Sequence, residues 1–198
     1  MADNTRFQRA IAQIDAANAE DPNLEVVNAR EVPKELVYGR RMSAWVERLR
    51  PDAPEPLRLA ARAQHIRRWE IPRDKFPMDR AGYHRWRTTL YKFHADQTAA
   101  ILRDVGYDED TIARASDLLQ KKRLKSDPDT QTIEDAAALV FLEHHAREFA
   151  ARPDMNDEKL IDILKKTWKK MSPQGQEAAL HIDLPPRLSH LIRTALRV

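Results

Sequence analysis

This 198-residue chain has only four glycines, Gly39, Gly82, Gly106 and Gly175, where average usage of about 7% would supply roughly fourteen. Glycine is the residue that enters left-handed turns at no steric cost, so a chain this poor in it favours helices over strands and hairpins. The four are also too far apart to write a G-x-G-x-x-G or G-x-x-x-x-G-K phosphate loop, which excludes classical dinucleotide and P-loop chemistry. No cysteine is present, so disulfide frameworks, thiolate catalysis and sulfur-ligated zinc are excluded as well. A chain of this length buries its own core without such staples.

Apolar spacing describes a succession of helices. Phe7, Ala10, Ile11, Ile14 and Ala17 step by threes and fours after Asn4 as N-cap, and Asp21-Pro22-Asn23 ends that segment. An extended stretch through Val26 and Val27 follows. Pro33 suits a first helical position ahead of Leu36, Met42, Trp45, Val46 and Leu49, with Pro51 as the stop. A third helix from Pro54 or Pro56 carries Leu57, Ala61 and His65 on one face, and Pro72 and Pro77 then impose a loop. Asp79 opens a long helix that Gly106 closes, and Asp108 or Asp110 opens the next. After Ser126-Asp127-Pro128 the run Ile133 to Leu142 is almost wholly apolar and predicts a buried helix with Glu134 and Asp135 in its first turn. Leu160, Ile163, Leu164, Trp168 and Met171 mark another helix, Ser172-Pro173 an N-cap and N1 pair, and Pro185-Pro186 the start of a last one. The expected fold is a single all-α domain of about seven to nine helices, with a core over 1–152 and C-terminal helices over 153–198 as a flanking subdomain.

Charge is uneven along this order. Arg40 to Lys92 holds fourteen Lys and Arg against six Asp and Glu, while the whole chain carries only +3. An anionic partner is therefore expected at the first half, a phosphorylated small molecule, a nucleotide or a nucleic acid. Arg41, Arg62, Arg67, Arg68, Arg73 and Arg87 are the candidate substrate-binding cations, because guanidinium forks match phosphate oxygens and Trp45, Trp69, Tyr83 and Trp86 lie among them. The competing account makes the tryptophans core anchors with arginines stacked on their edges. No apolar run reaches signal-peptide or membrane-span length, so a cytoplasmic protein without a membrane partner is expected.

His65, His94 and Asp135 come from three helices and combine the ligand types of a borderline or hard divalent ion, Mn, Fe or Zn. They form the candidate metal site, with Glu134 as candidate catalytic base; capping and ordinary core hydrogen bonds are the competing roles. Nicotinamide, flavin and haem are not expected. Lys169-Lys170-Met171-Ser172 and His65-Ile66 echo synthetase motifs over too few residues to weigh, and Arg67 and Arg68 stand where a glycine would be needed.

The blocks Tyr38-Gly39-Arg40-Arg41-Met42, Ala61 to Trp69, Pro72-Arg73, Gly82 to Arg87, Phe93-His94-Ala95, Asp127-Pro128, Gln131, Glu134-Asp135 and Lys166 to Ser172 resemble the uncharacterised family called domain of unknown function 4202. The resemblance spans about Phe7 to Leu180, and some members carry a glutamyl-tRNA synthetase-like label. More distantly the order of elements is similar to the HD-domain metal-dependent phosphohydrolases. That similarity implies a helical fold in which Ala60 to His65 leads to a ligand pair, His94 is an accessory histidine and Asp135 the late aspartate. Ile66 stands where the paired aspartate belongs, and Tyr38 or Arg41 where the first histidine belongs. The function so implied is an HD-like, metal-dependent hydrolase of a phosphorylated small molecule or nucleotide. The alternative is a non-catalytic RNA- or nucleotide-binding helical module that uses the Arg40 to Lys92 stretch.

Overall fold

The computed structural model describes residues 2–196, with side chains described over 5–194. Ten α-helices and one two-stranded sheet are found among the described residues, so the chain is mostly all-α, with one helix more than the upper expectation. Contacts divide it into two compact units, Met1–Ile133 and Glu134–Val198.

The first unit contains α1 (Ala2–Ala19), β1 (Leu24–Val27), β2 (Arg30–Pro33), α2 (Lys34–Leu49), α3 (Glu55–Arg62), α4 (Arg80–Asp104), α5 (Glu109–Leu119) and the first turns of α6 (Pro128–Val140). Helix α4 packs on α5, α3 on α5 and on α2, and α1 against α2, α3 and α4. Their shared core gathers Ala10, Leu59, Ala99, Leu102, Ile112 and Ala115, with Phe7 and Ile11 at its margin. Burying a Leu such as Leu59 or Leu102, both fully enclosed, is worth about 1.5–3 kcal/mol. Helices α4 and α5 start and stop at the expected signals, whereas Pro33 precedes α2 as its N-cap and is not its first residue. Asp79 caps α4 by accepting from Gly82 N at 2.6 Å, Asp108 caps α5 by accepting from Thr111 N at 2.8 Å, and Gly106 leaves α4 at φ +86°.

Two local expectations, the Asn4 cap and a helical His65, are corrected, and the expected extended stretch pairs into a hairpin. Asn4 lies inside α1, which begins at Ala2, and does not precede it. Residues 24–33 form an antiparallel hairpin in which Val27 pairs with Arg30 and Leu24 with Pro33. Its two-residue turn is made without glycine, since Asn28 and Ala29 take φ +50° and +61°. Tertiary anchoring replaces turn propensity here: Asp21, almost fully buried, accepts from Asn23 N at 2.9 Å and from Glu35 N at 3.0 Å, tying the hairpin to the start of α2. His65 is not helical, because α3 ends at Arg62 and the chain turns through Ala63 to Arg67. Arg67 sits in the left-handed region at φ +51°, ψ +31°, a conformation that costs a residue with a Cβ about 1–2 kcal/mol. Asn18 Oδ1 offsets part of that cost by accepting from Arg67 N at 3.1 Å.

The second unit holds the rest of α6, a π-helical segment Phe141–His145, α7 (Ala146–Ala150), α8 (Asp157–Trp168), α9 (Pro173–Leu180) and α10 (Pro186–Leu196). Helix α8 packs on α10. The apolar run is buried as expected, with Ile133, Ala136, Leu139 and Val140 inaccessible. Its helix begins earlier, at Pro128, so Glu134 and Asp135 lie two turns in and do not occupy the first turn. Ser172 caps α9 through Gly175 N at 3.1 Å, and Pro173 is its first residue.

Candidate ligand cleft

An open cleft of about 470 Å³ lies in the first unit where the start of α2 faces the segment after α3. Lys34, Glu35, Arg68, Arg73, Trp69 and Trp86 line it, joined by Asn23, Leu24, Ile71 and Pro72. The left-handed Arg67 throws the following 3₁₀ turn, Arg68–Glu70, onto its wall. Arg68 lays its guanidinium over the Trp86 ring, 4.7 Å from the centroid, while Trp86 Nε1 donates to the Ile71 carbonyl at 2.8 Å. Arg73 donates to the carbonyls of Phe76 (3.0 Å) and Pro77 (2.7 Å), which folds the proline loop over it.

His65 sits behind this wall, half-buried. Its ring stacks on Tyr38 at 3.8 Å, its Nδ1 lies 3.1 Å from Glu35 Oε2, and its Nε2 lies 3.0 Å from Arg68 Nη1. A guanidinium only donates, so Nε2 is the acceptor and Nδ1 carries the proton that Glu35 receives. His94 lies alongside, with ring centroids 5.9 Å apart. Its Nδ1 donates to the Ile66 carbonyl at 2.8 Å, while its Nε2 is buried without a hydrogen-bond partner. Burial first, then the neighbouring His65, drives the His94 pKa down from 6.5 to about 3, so the ring is neutral at physiological pH.

The six candidate arginines separate by their partners. Arg62 clamps Asp15 with two bonds of 2.6 Å, Arg41 pairs with Glu25 at 2.5 Å, and Arg67 bridges Glu20 at 2.8 Å and Glu70 at 3.1 Å. Arg87 bonds the Tyr91 hydroxyl and lies against the Tyr83 ring. Among the described residues no carboxylate pairs with Lys34, Arg68 or Arg73, and these three share the cleft. Arg48 lies over the ring of the buried Trp45, whereas Trp86, under Arg68, is only half-buried and is no core anchor.

Asp135 belongs to the second unit and is nearly inaccessible. Its two oxygens accept from Ser172 N at 2.8 Å and from Ser172 Oγ at 2.5 Å, which props the N-terminus of α9. Glu134 is half-buried on the same helix. Among the described residues no group of three His, Cys, Asp or Glu is gathered as a metal would require. Ligation by His65 would displace Arg68, and ligation by Asp135 would displace Ser172. Of the three expected ligands, only His94 presents a buried nitrogen without a hydrogen-bond partner among the described residues.

A family model described as "Domain of unknown function (DUF4202)" matches residues 8–192. The chain belongs to this family. No curated protein and no solved structure matches it. Every residue of the cleft lies within the span that the DUF4202 model matches, as do His65, His94 and Asp135.

Sequence reasoning within this DUF4202 span missed Lys34, Glu35 and Tyr38 as site residues. Glu35 stands 30 positions from His65, so no local spacing signals the pair. What could have raised it is a buried carboxylate at a helix start, where an uncompensated charge is costly. Among the described residues no helix is long and apolar enough to cross a membrane.

Proposed function

We propose that the protein binds a phosphorylated small molecule in the cleft between the start of α2 and the Arg68–Trp86 wall, as a metal-free site in a cytoplasmic protein. The observation that carries this reading is that Lys34, Arg68 and Arg73 line one cleft without carboxylate partners, whereas Arg41, Arg62 and Arg67 are neutralised. Cations so disposed attract anions, and a guanidinium held against an indole loses little freedom when a phosphate arrives. Titration calorimetry with inorganic phosphate and ribose 5-phosphate tests it. Binding that weakens steeply with salt and falls at least tenfold in Arg68→Ala supports the proposal, and binding indifferent to Arg68 overturns it.

Hydrolysis of that ligand is a second reading, favoured by the Glu35–His65 pair. A carboxylate that fixes Nδ1–H leaves the Nε2 lone pair to accept a proton from water once a phosphate draws Arg68 away. Release of phosphate from ribose 5-phosphate in the presence of chelator, lost in His65→Gln, would support it. Elemental analysis separates this from the metal-dependent form. One equivalent of Mn, Fe or Zn, lost in both His65→Ala and Asp135→Ala, would return the metal reading in its place.

A further inference from the structure

Two indoles line the cleft, and they are held differently. Trp86 is fully employed: its N–H donates to Ile71 O and its ring carries Arg68, with Arg73 at 5.9 Å. Trp69 is half-buried in the same wall. Among the described residues its indole N–H has no acceptor, and its ring has neither an aromatic nor a cationic neighbour. Leu24, Ile71 and Pro72 add apolar surface around it, and Leu24 is 52% exposed. A cleft needing only to hold a phosphate has no use for this apolar lining or for about 470 Å³ of space.

Resting on the phosphate reading above, we propose that the ligand is a free nucleotide whose base stacks on Trp69 while its phosphate meets Arg68, Arg73 and Lys34. An aromatic face beside a cation group is how proteins hold a base and a phosphate together, and stacking tolerates every base. Asn23, also in the lining, donates its Nδ2 to Asp21 at 2.9 Å and keeps its Oδ1 for a base-edge amine. A free nucleotide is favoured over an RNA strand because the cations that would continue a backbone track, Arg41, Arg62 and Arg67, are already paired with carboxylates.

The test is calorimetry on the full chain with the four ribonucleoside 5′-monophosphates, ribose 5-phosphate and a ten-residue oligoribonucleotide. At least one nucleotide is expected to bind roughly tenfold or more tightly than ribose 5-phosphate, as one stacked base supplies. Trp69→Leu is expected to erase that margin, while Trp69→Phe keeps it. Arg68→Ala is expected to weaken both ligands. Equal binding of every nucleotide and ribose 5-phosphate by the wild-type protein overturns the base proposal and leaves the phosphate site standing, with no variant needed. An oligonucleotide that binds tenfold more tightly than any nucleotide overturns the free-nucleotide assignment. Failure of all phosphorylated ligands to bind overturns the underlying reading as well.

Discussion

Arg68 donates to Nε2 of His65 across 3.0 Å, and this contact decides which nitrogen of the imidazole holds the proton. The neutral ring is expected as the Nδ1–H tautomer, its proton directed at Glu35. Long-range nitrogen–proton correlation spectra of labelled protein read the tautomer directly. An Nε2–H signal for His65 would contradict the arrangement. Arg68→Ala should allow the second tautomer to appear.

His94 should remain uncharged far below the usual histidine range. Its folded pKa, about 3, lies under the unfolded value of 6.5. The neutral ring's contribution to stability is therefore complete above 6.5 and is lost as pH falls through the folded value. Between those limits stability should decline by up to about 1.4 kcal/mol per pH unit from this group. Ring-proton shifts that stay flat from pH 7 to pH 5 are the expected result. A titration midpoint near 6.5 would show that the ring is not enclosed as described.

Asp135 and Gly175 touch so closely that a Cβ on the glycine would lie 2.6 Å from the carboxylate carbon. Gly175→Ala should cost about 1–3 kcal/mol in urea unfolding, the range for forced overpacking. Asp135→Ala should cost about as much through the two lost bonds to Ser172. The double variant should cost clearly less than the sum, because without the carboxylate the new methyl has room. Additive costs would mean that the two residues do not meet.

Ala29 holds φ +61° in the hairpin turn, a region that a Cβ disfavours by about 1–2 kcal/mol. Ala29→Gly relieves that strain but gains unfolded-chain entropy. A net rise of about 0.5–1 kcal/mol is expected in denaturant unfolding. A drop in stability would indicate that residues 28 and 29 do not form this turn.

Arg114 bonds both Asp127 and Asp129, and Arg50, just past the end of α2, joins Asp129. The Arg114 guanidinium holds the Asp127 carboxyl well below the usual carboxylate range. That stability is present above the unfolded value of about 3.9 and is lost as pH falls toward the lower folded one. Arg114→Ala should cost about 2 kcal/mol at pH 7. The gap between variant and wild type should narrow when both are unfolded at pH 3. A gap that stays constant with pH would exclude the ion pair as its source.

The punctuation of α4, α5 and α9 was legible without coordinates. Asp79, Gly106, Asp108 and Ser172-Pro173 act through atoms within four residues of themselves, so the sequence carries their roles. The burial of Ile133 to Leu142 was equally plain, since an apolar run has no other stable place in water. The hairpin was not legible, because its turn lacks glycine and is held by Asp21 reaching the start of α2, 14 positions on. Nor could spacing tell which arginines stay available. Arg62 finds Asp15 at a separation of 47 residues and His65 finds Glu35 at 30, whereas Arg68 finds an indole face. The sequence by itself determined a helical chain with a surplus of cations in its first half. Only the tertiary structure decided which of those cations are neutralised and which face a common cleft, because ion pairing acts through space over a few ångströms and is blind to distance along the chain.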